Sequence, residues 1–138
     1  MDPLSPADRS RVMSAIKNKD TAPELLVRRL VHGMGYRFRL HRRDLPGCPD
    51  IVLPRHRKVI LVHGCFWHRH SCPRGKSVPE TRTAFWKAKF EANKRRDSRA
   101  RQKLQTQGWR VATVWECQLR PSNQSRLVDR IRRFLEER

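Results

Sequence analysis

The chain has 138 residues with 32 Lys plus Arg against 13 Asp plus Glu, a formal net charge of +19, and that length accommodates one domain more readily than two. Leu, Ile, Val and Phe together make up 31 residues, about 22%, which allows a small core and no large one. The longest aliphatic run, Val59-Ile60-Leu61-Val62, is far short of the roughly 20 residues of a membrane span, so a membrane protein is excluded as an expectation. A charge of this sign on so small a body calls for a polyanion. Lys and Arg spread along the chain suit nucleic acid better than a membrane surface, with a ribosomal-type basic protein as the plain alternative. No basic–apolar–small leader opens the sequence, which points to a cytoplasmic protein. Cys48, Cys65, Cys72 and Cys117 are too few for a disulfide scaffold and suggest metal binding or burial.

Residues 1–6 carry two prolines and read as a loose arm, after which Asp8 is placed to cap a short helix running to about Lys17. A second helix is predicted from Asp20 or Thr21, with Pro23 and Glu24 in its first turn and Leu25, Leu26, Arg29, Leu30 and Met34 forming a stripe; Gly33 and Gly35 stop it. Tyr36 to Leu40 alternates with the period of a half-buried strand. A Pro- and Gly-containing loop leads to Pro49-Asp50. Ile51–Leu53 and Val59–Val62, joined by Pro54 to Arg57, then form a predicted hairpin. Residues 63–81 lack periodicity. A long helix is predicted from Thr83 to Gln107, ended by Gly108, followed by a strand from Trp109 to Trp115. A last helix is capped by Ser122 or Asn123, with Leu127, Val128, Ile131, Phe134 and Leu135 inward. This order implies a single α/β domain with a mixed sheet.

If Pro54 to Arg57 turn the chain, Asp50 faces Leu61, and His63 lies on the same face as a diagonal neighbour. A carboxylate there suits Mg²⁺, with the backbone carbonyl of Val62 in reach of the same ion; the competing reading is that Asp50 simply ends a strand. On the long helix Trp86, Phe90, Asn93, Asp97, Ala100 and Leu104 share one stripe, which makes Asp97 a core-facing acid. Its partner is an imidazolium, a metal-bound water, or a neighbouring Arg96 or Arg101. The remaining faces of that helix are dense in Lys and Arg and suit a phosphate backbone. Cys65, His70, Cys72 and Cys117 have the chemistry of a closed structural Zn²⁺ site, although His68 could replace His70 on spacing alone. Cys48 is left over.

Five strings carry a family resemblance: Asp20-Thr21-Ala22-Pro23-Glu24, Pro46-Gly47-Cys48-Pro49-Asp50-Ile51-Val52, Val62-His63-Gly64-Cys65-Phe66-Trp67-His68, Pro79 to Trp86, and Trp109 to Cys117. In order and spacing, from about Asp8 to Phe134, the sequence resembles the very-short-patch repair (Vsr) DNA mismatch endonucleases. The resemblance implies a restriction-endonuclease-like fold over the whole of 1–138, with the arm and short helix of 1–18 contacting DNA. It implies a nick on the 5′ side of the thymine of a T·G mismatch left by deamination of 5-methylcytosine. The family's metal-binding aspartate matches Asp50 and its catalytic histidines match His63 and His68. Its supporting acids match Asp97 and Glu24, its zinc ligands Cys65, His70, Cys72 and Cys117, and its intercalating aromatics Phe66, Trp67 and Trp86. Ile60-Leu61-Val62 lacks the acid-x-Lys usual in the wider restriction-enzyme fold, a place this branch fills with histidine.

The expected enzyme is therefore a Mg²⁺-dependent nicking endonuclease with Zn²⁺ as structural ion. His68 is favoured as general base, since imidazole titrates near working pH. The expected partner is double-stranded DNA bearing a T·G pair, with mismatch-repair proteins and a cytosine methyltransferase as functional partners. The chain is expected to act as a monomer in the cytoplasm, at the nucleoid. The competing class is a zinc-containing nucleic-acid binder without catalysis.

Overall fold

A computed structural model describes residues 21–65 and 81–137; the helix expected from Asp8 to Lys17 lies outside them. The first described helix, α1 (Ala22–Gly33), begins where Thr21 offers its Oγ1 to the Glu24 N–H at 3.4 Å, and Pro23 contributes a preset φ in the first turn. Gly35, at φ +93°, takes the chain out of the helix in a conformation that side chains rarely adopt. The buried edge of α1 runs through Val27 and Val31, with Leu26, Leu30 and Met34 packed beside them. Leu25 departs from the predicted stripe and is exposed. Two residues from Val27, it points about 200° around the helix, away from the sheet.

Four strands form one mixed sheet in the order β1 (Arg39–Leu40), β2 (Ile51–Leu53), β3 (Lys58–His63) and β4 (Arg110–Trp115). The β2–β3 hairpin has the expected antiparallel register, with Ile51 opposite Ile60 and Leu53 opposite Lys58. Its turn is a 3₁₀ segment (Pro54–His56) closed by Arg57 in the left-handed region. The strand expected over Tyr36 to Leu40 shrinks to its last two residues. Tyr36 still donates its N–H to the Val31 carbonyl, and β1 pairs with Ile51 and Val52 of β2.

The chain returns through α2 (Thr83–Thr106) so that β4 lies parallel to β3, Lys58 opposite Arg110 and His63 opposite Trp115. Gly108, at φ +91°, makes the turn from α2 to β4. The last helix, α3 (Gln124–Glu136), follows two short 3₁₀ turns. Asn123 occupies its cap position as expected but makes no side-chain cap bond; its Nδ2 instead donates to the Cys117 carbonyl at 3.0 Å.

Alternation along β2 and β3 splits the core between two faces. Ile51, Leu53 and Ile60 pack with Val27 and Val31 of α1 and Leu127, Ile131 and Leu135 of α3. Val52 and Val59 pack on the other face with Leu104 of α2 and Trp109. The α2 stripe is as predicted: Phe90 and Leu104 are buried, and Trp86, Asn93, Asp97 and Ala100 are half-buried. Lys58, at the start of β3, is 2% exposed. Its ammonium donates to the Leu135 carbonyl at 2.9 Å and also to that of Glu137, so one buried cation closes the C-terminal end of α3. None of the described helices is long and apolar enough to cross a membrane.

Candidate active site

Asp50 stands immediately before β2, with its Oδ2 accepting the Val62 N–H at 2.7 Å across the hairpin. Glu24, from the first turn of α1, and His41, one residue beyond β1, converge on it. Each of the three offers a ligand atom, and these atoms lie within 4.8 Å of one another. Glu24 is 3% exposed; its Oε1 accepts from His41 Nε2 at 2.8 Å and its Oε2 pairs with Arg28 one turn along the helix. The main chain adds a tie, since the His41 N–H donates to the Asp50 carbonyl at 3.3 Å. Three segments distant in sequence therefore meet at one end of the sheet.

Burial pushes the Asp50 carboxyl up to about 7, and the Val62 N–H works against that shift by stabilising the charged form. The Glu24 carboxylate raises it further, while His41 opposes Glu24. A buried acid beside a second acid is the environment in which a divalent cation gains most, because it offsets burial and repulsion together. The donor set suits such an ion: two carboxylates are hard oxygen donors, and Val62 sits beside them on β3.

His63 follows Val62 on β3 and sets its ring edge-on to Trp115, with 5.3 Å between centroids. Asp97 lies half-buried on the α2 stripe. Trp86, in the first turn of α2, is half-buried, meets exposed Phe85 edge-to-face and lies tilted against buried Phe90. Cys65 and Cys117 each lie two residues past the parallel pair His63–Trp115, and the strands deliver them together. The Cys117 N–H donates to the Cys65 Sγ at 3.3 Å. Two of the four expected zinc donors are thus adjacent, whereas His70 and Cys72 lie outside the described residues, as do Phe66, Trp67 and His68. Cys48 is exposed.

Sequence reasoning missed His41. The available signal is the antiparallel pairing of Leu40 with Ile51, which carries His41 opposite Asp50. That pairing spans a ten-residue connection (41–50) whose closure no local pattern announces.

Comparison with known proteins places this arrangement in a family. A family model described as DNA mismatch endonuclease Vsr matches residues 1–74. The chain is 50% identical over 135 residues to type II nicking enzyme V.XorIIP of Xanthomonas oryzae pv. oryzae, covering 98% of this chain and 97% of that protein. It is 50% identical over 114 residues to DNA mismatch endonuclease Vsr of Escherichia coli K12, covering 83% of this chain and 72% of that one. Type II nicking enzyme V.NmeAIP of Neisseria meningitidis is 38% identical over 136 residues, 99% of this chain and 95% of its own. With an acid pair and a histidine gathered at the sheet end and identity sustained over nearly its full length, the chain belongs to the Vsr family of DNA mismatch endonucleases.

Proposed function

We propose that this protein is a Mg²⁺-dependent DNA endonuclease that nicks one strand on the 5′ side of the thymine in a T·G mismatch; its E. coli relative is named a DNA mismatch endonuclease. The observation that carries the reading is Asp50: a half-buried carboxylate at the end of the central hairpin, oriented by the Val62 N–H and flanked by the buried Glu24. A site built only to bind nucleic acid has no use for two acids in this position. The element order and mixed sheet fit a restriction-endonuclease-like fold.

In this reading Asp50 and the Val62 carbonyl would hold the cation, whose chemistry there would be to stabilise negative charge developing at the scissile phosphate. Glu24 supports Asp50 from α1. His68 accepts a proton from the attacking water, and His63 and Asp97 orient water around the reacting phosphate. The phosphate backbone has a track to follow: a cleft of about 610 Å³ between the Gly47 turn and α2 is bordered by Arg95, Arg96, Arg99 and Lys103, beside the loop that ends at Asp50. Cys65, His70, Cys72 and Cys117 would hold a structural Zn²⁺ that ties the ends of β3 and β4 together. Phe66, Trp67 and Trp86 would form a wedge that enters the base stack where a mismatch makes unstacking cheaper. We place the enzyme in the cytoplasm, acting as a monomer alongside mismatch-repair proteins and a cytosine methyltransferase.

The test is direct. Purified protein with Mg²⁺ and end-labelled duplexes carrying T·G or T·A at one position should nick the T·G duplex on the thymine strand only, and EDTA should abolish the product. Equal cutting of both duplexes would indicate a general nuclease. Tight binding without any nick would indicate a non-catalytic zinc-containing binder.

A further inference from the structure

We propose that His41 is a positioning residue of the active site: its Nε2 holds the Glu24 carboxylate beside Asp50 and so sets the affinity of that acid pair for Mg²⁺. The inference rests on the reading of Asp50 as cation anchor. Glu24 stands in the first turn of α1 and Asp50 just before β2, and their carboxyl groups interact directly, by a hydrogen bond as well as by charge. Neighbouring groups that hold Glu24 in place then bear on how the pair would take a cation. Arg28 grips Glu24 Oε2 from one turn along the same helix.

His41 does something different. Its side chain takes Glu24 Oε1 at 2.8 Å while its main-chain N–H donates to the carbonyl of Asp50 at 3.3 Å. Through one residue Glu24 is referenced to the backbone of Asp50 itself. The backbone of His41 sits at φ +47°, a left-handed conformation that swings the ring off the line of β1 and over the acids. The His41 side chain is only 15% exposed, so water competes weakly for the bond. Partners that orient the groups around a bound cation typically govern its affinity by about 10–100-fold.

The experiment compares wild-type protein with His41→Asn, His41→Gln and Asp50→Asn, using Mg²⁺ alone as probe. Asn tolerates the left-handed backbone but does not reach Glu24, whereas the Gln amide nitrogen reaches about as far as Nε2. His41→Gly, which also accepts that backbone, stands in if the Asn variant does not fold. We expect His41→Asn to raise the Mg²⁺ concentration for half-maximal nicking by about tenfold or more. The rate at saturating Mg²⁺ and the KM for DNA should change far less. The rise in Tm produced by Mg²⁺ without DNA should shrink in step, and His41→Gln should restore both quantities to within about twofold. An unchanged Mg²⁺ dependence and Tm rise in His41→Asn, or no recovery with Gln, overturns the role given to this hydrogen bond. If Asp50→Asn still nicks with Mg²⁺, the anchor reading itself falls and takes this proposal with it. A dead Asp50→Asn beside a fully normal His41→Asn sinks the proposal alone.

Discussion

Asp50→Asn should make the cation-free protein more stable, and increasingly so as the pH rises. Asparagine keeps an oxygen to accept the Val62 N–H and fills nearly the same volume, so the main perturbation is the loss of a charge from a desolvated position beside Glu24. In the folded protein the carboxyl ionises near 7 and not near its ordinary 3.8. Below about pH 4 both folded and unfolded chains hold the proton, and the site contributes no pH dependence. Between about 4 and 7 the unfolded chain releases the proton while the folded chain retains it, so wild-type stability declines as pH rises; above 7 the loss is complete. At 1.36 kcal/mol per pH unit the full effect is about 4 kcal/mol. Urea unfolding in EDTA at pH 4, 6 and 8 measures it. The variant should match wild type at pH 4 and exceed it by about 2–4 kcal/mol at pH 8. Mg²⁺ at pH 8 should then stabilise wild type and leave the variant unmoved. A stability difference that is flat with pH, or an Asn variant weaker than wild type at pH 8, would refute the argument that burial strains this carboxylate. The same substitution removes the cation anchor, so stability gained there should coincide with activity lost.

Four further outcomes are expected. Lys58→Met should cost about 2–3 kcal/mol in urea unfolding, because it leaves the Leu135 and Glu137 carbonyls without the buried donor that closes α3. Gly47→Ala should lower the Tm, since a Cβ there would lie 2.6 Å from that of Ala100 at a φ of +74°, and adding Ala100→Gly should recover part of the loss by relieving the clash but not the backbone strain. Metal analysis should find about one Zn²⁺ per chain, and Cys65→Ser or Cys117→Ser should lower the melting temperature together with the zinc content, while Cys48→Ser leaves both in place. Replacing Phe66 and Trp67 with Ala should reduce T·G cutting sharply with little change in Tm; unaltered preference for T·G over T·A duplexes would count against the wedge.

Features repeating over a few residues were legible in the sequence. The β2–β3 register follows from two apolar runs and the short turn between them, and it already sets Asp50 against Leu61. The α2 stripe follows from a period of 3.6, which puts Asp97 on the core-facing side; in the structure that acid is half-buried. The family strings added roles for these residues that no periodicity contains. Tertiary structure decided the rest. Leu25 and Val27 are equally apolar, and only the approach of α1 to the sheet selects Val27 for burial. Asn123 has the right residue type for a helix cap, but packing turns its amide to the Cys117 carbonyl. Cys65 and Cys117 stand 52 residues apart, and the parallel pairing of β3 with β4 makes them neighbours. His41 is the clearest case: as one more basic residue in an Arg-rich stretch it carries no local signal, and closing the 41–50 connection sets it between Glu24 and Asp50. Periodicity is written in neighbouring residues because backbone geometry repeats every two or 3.6 positions; contacts that close long loops depend on the free energy of the whole chain, which no short window contains.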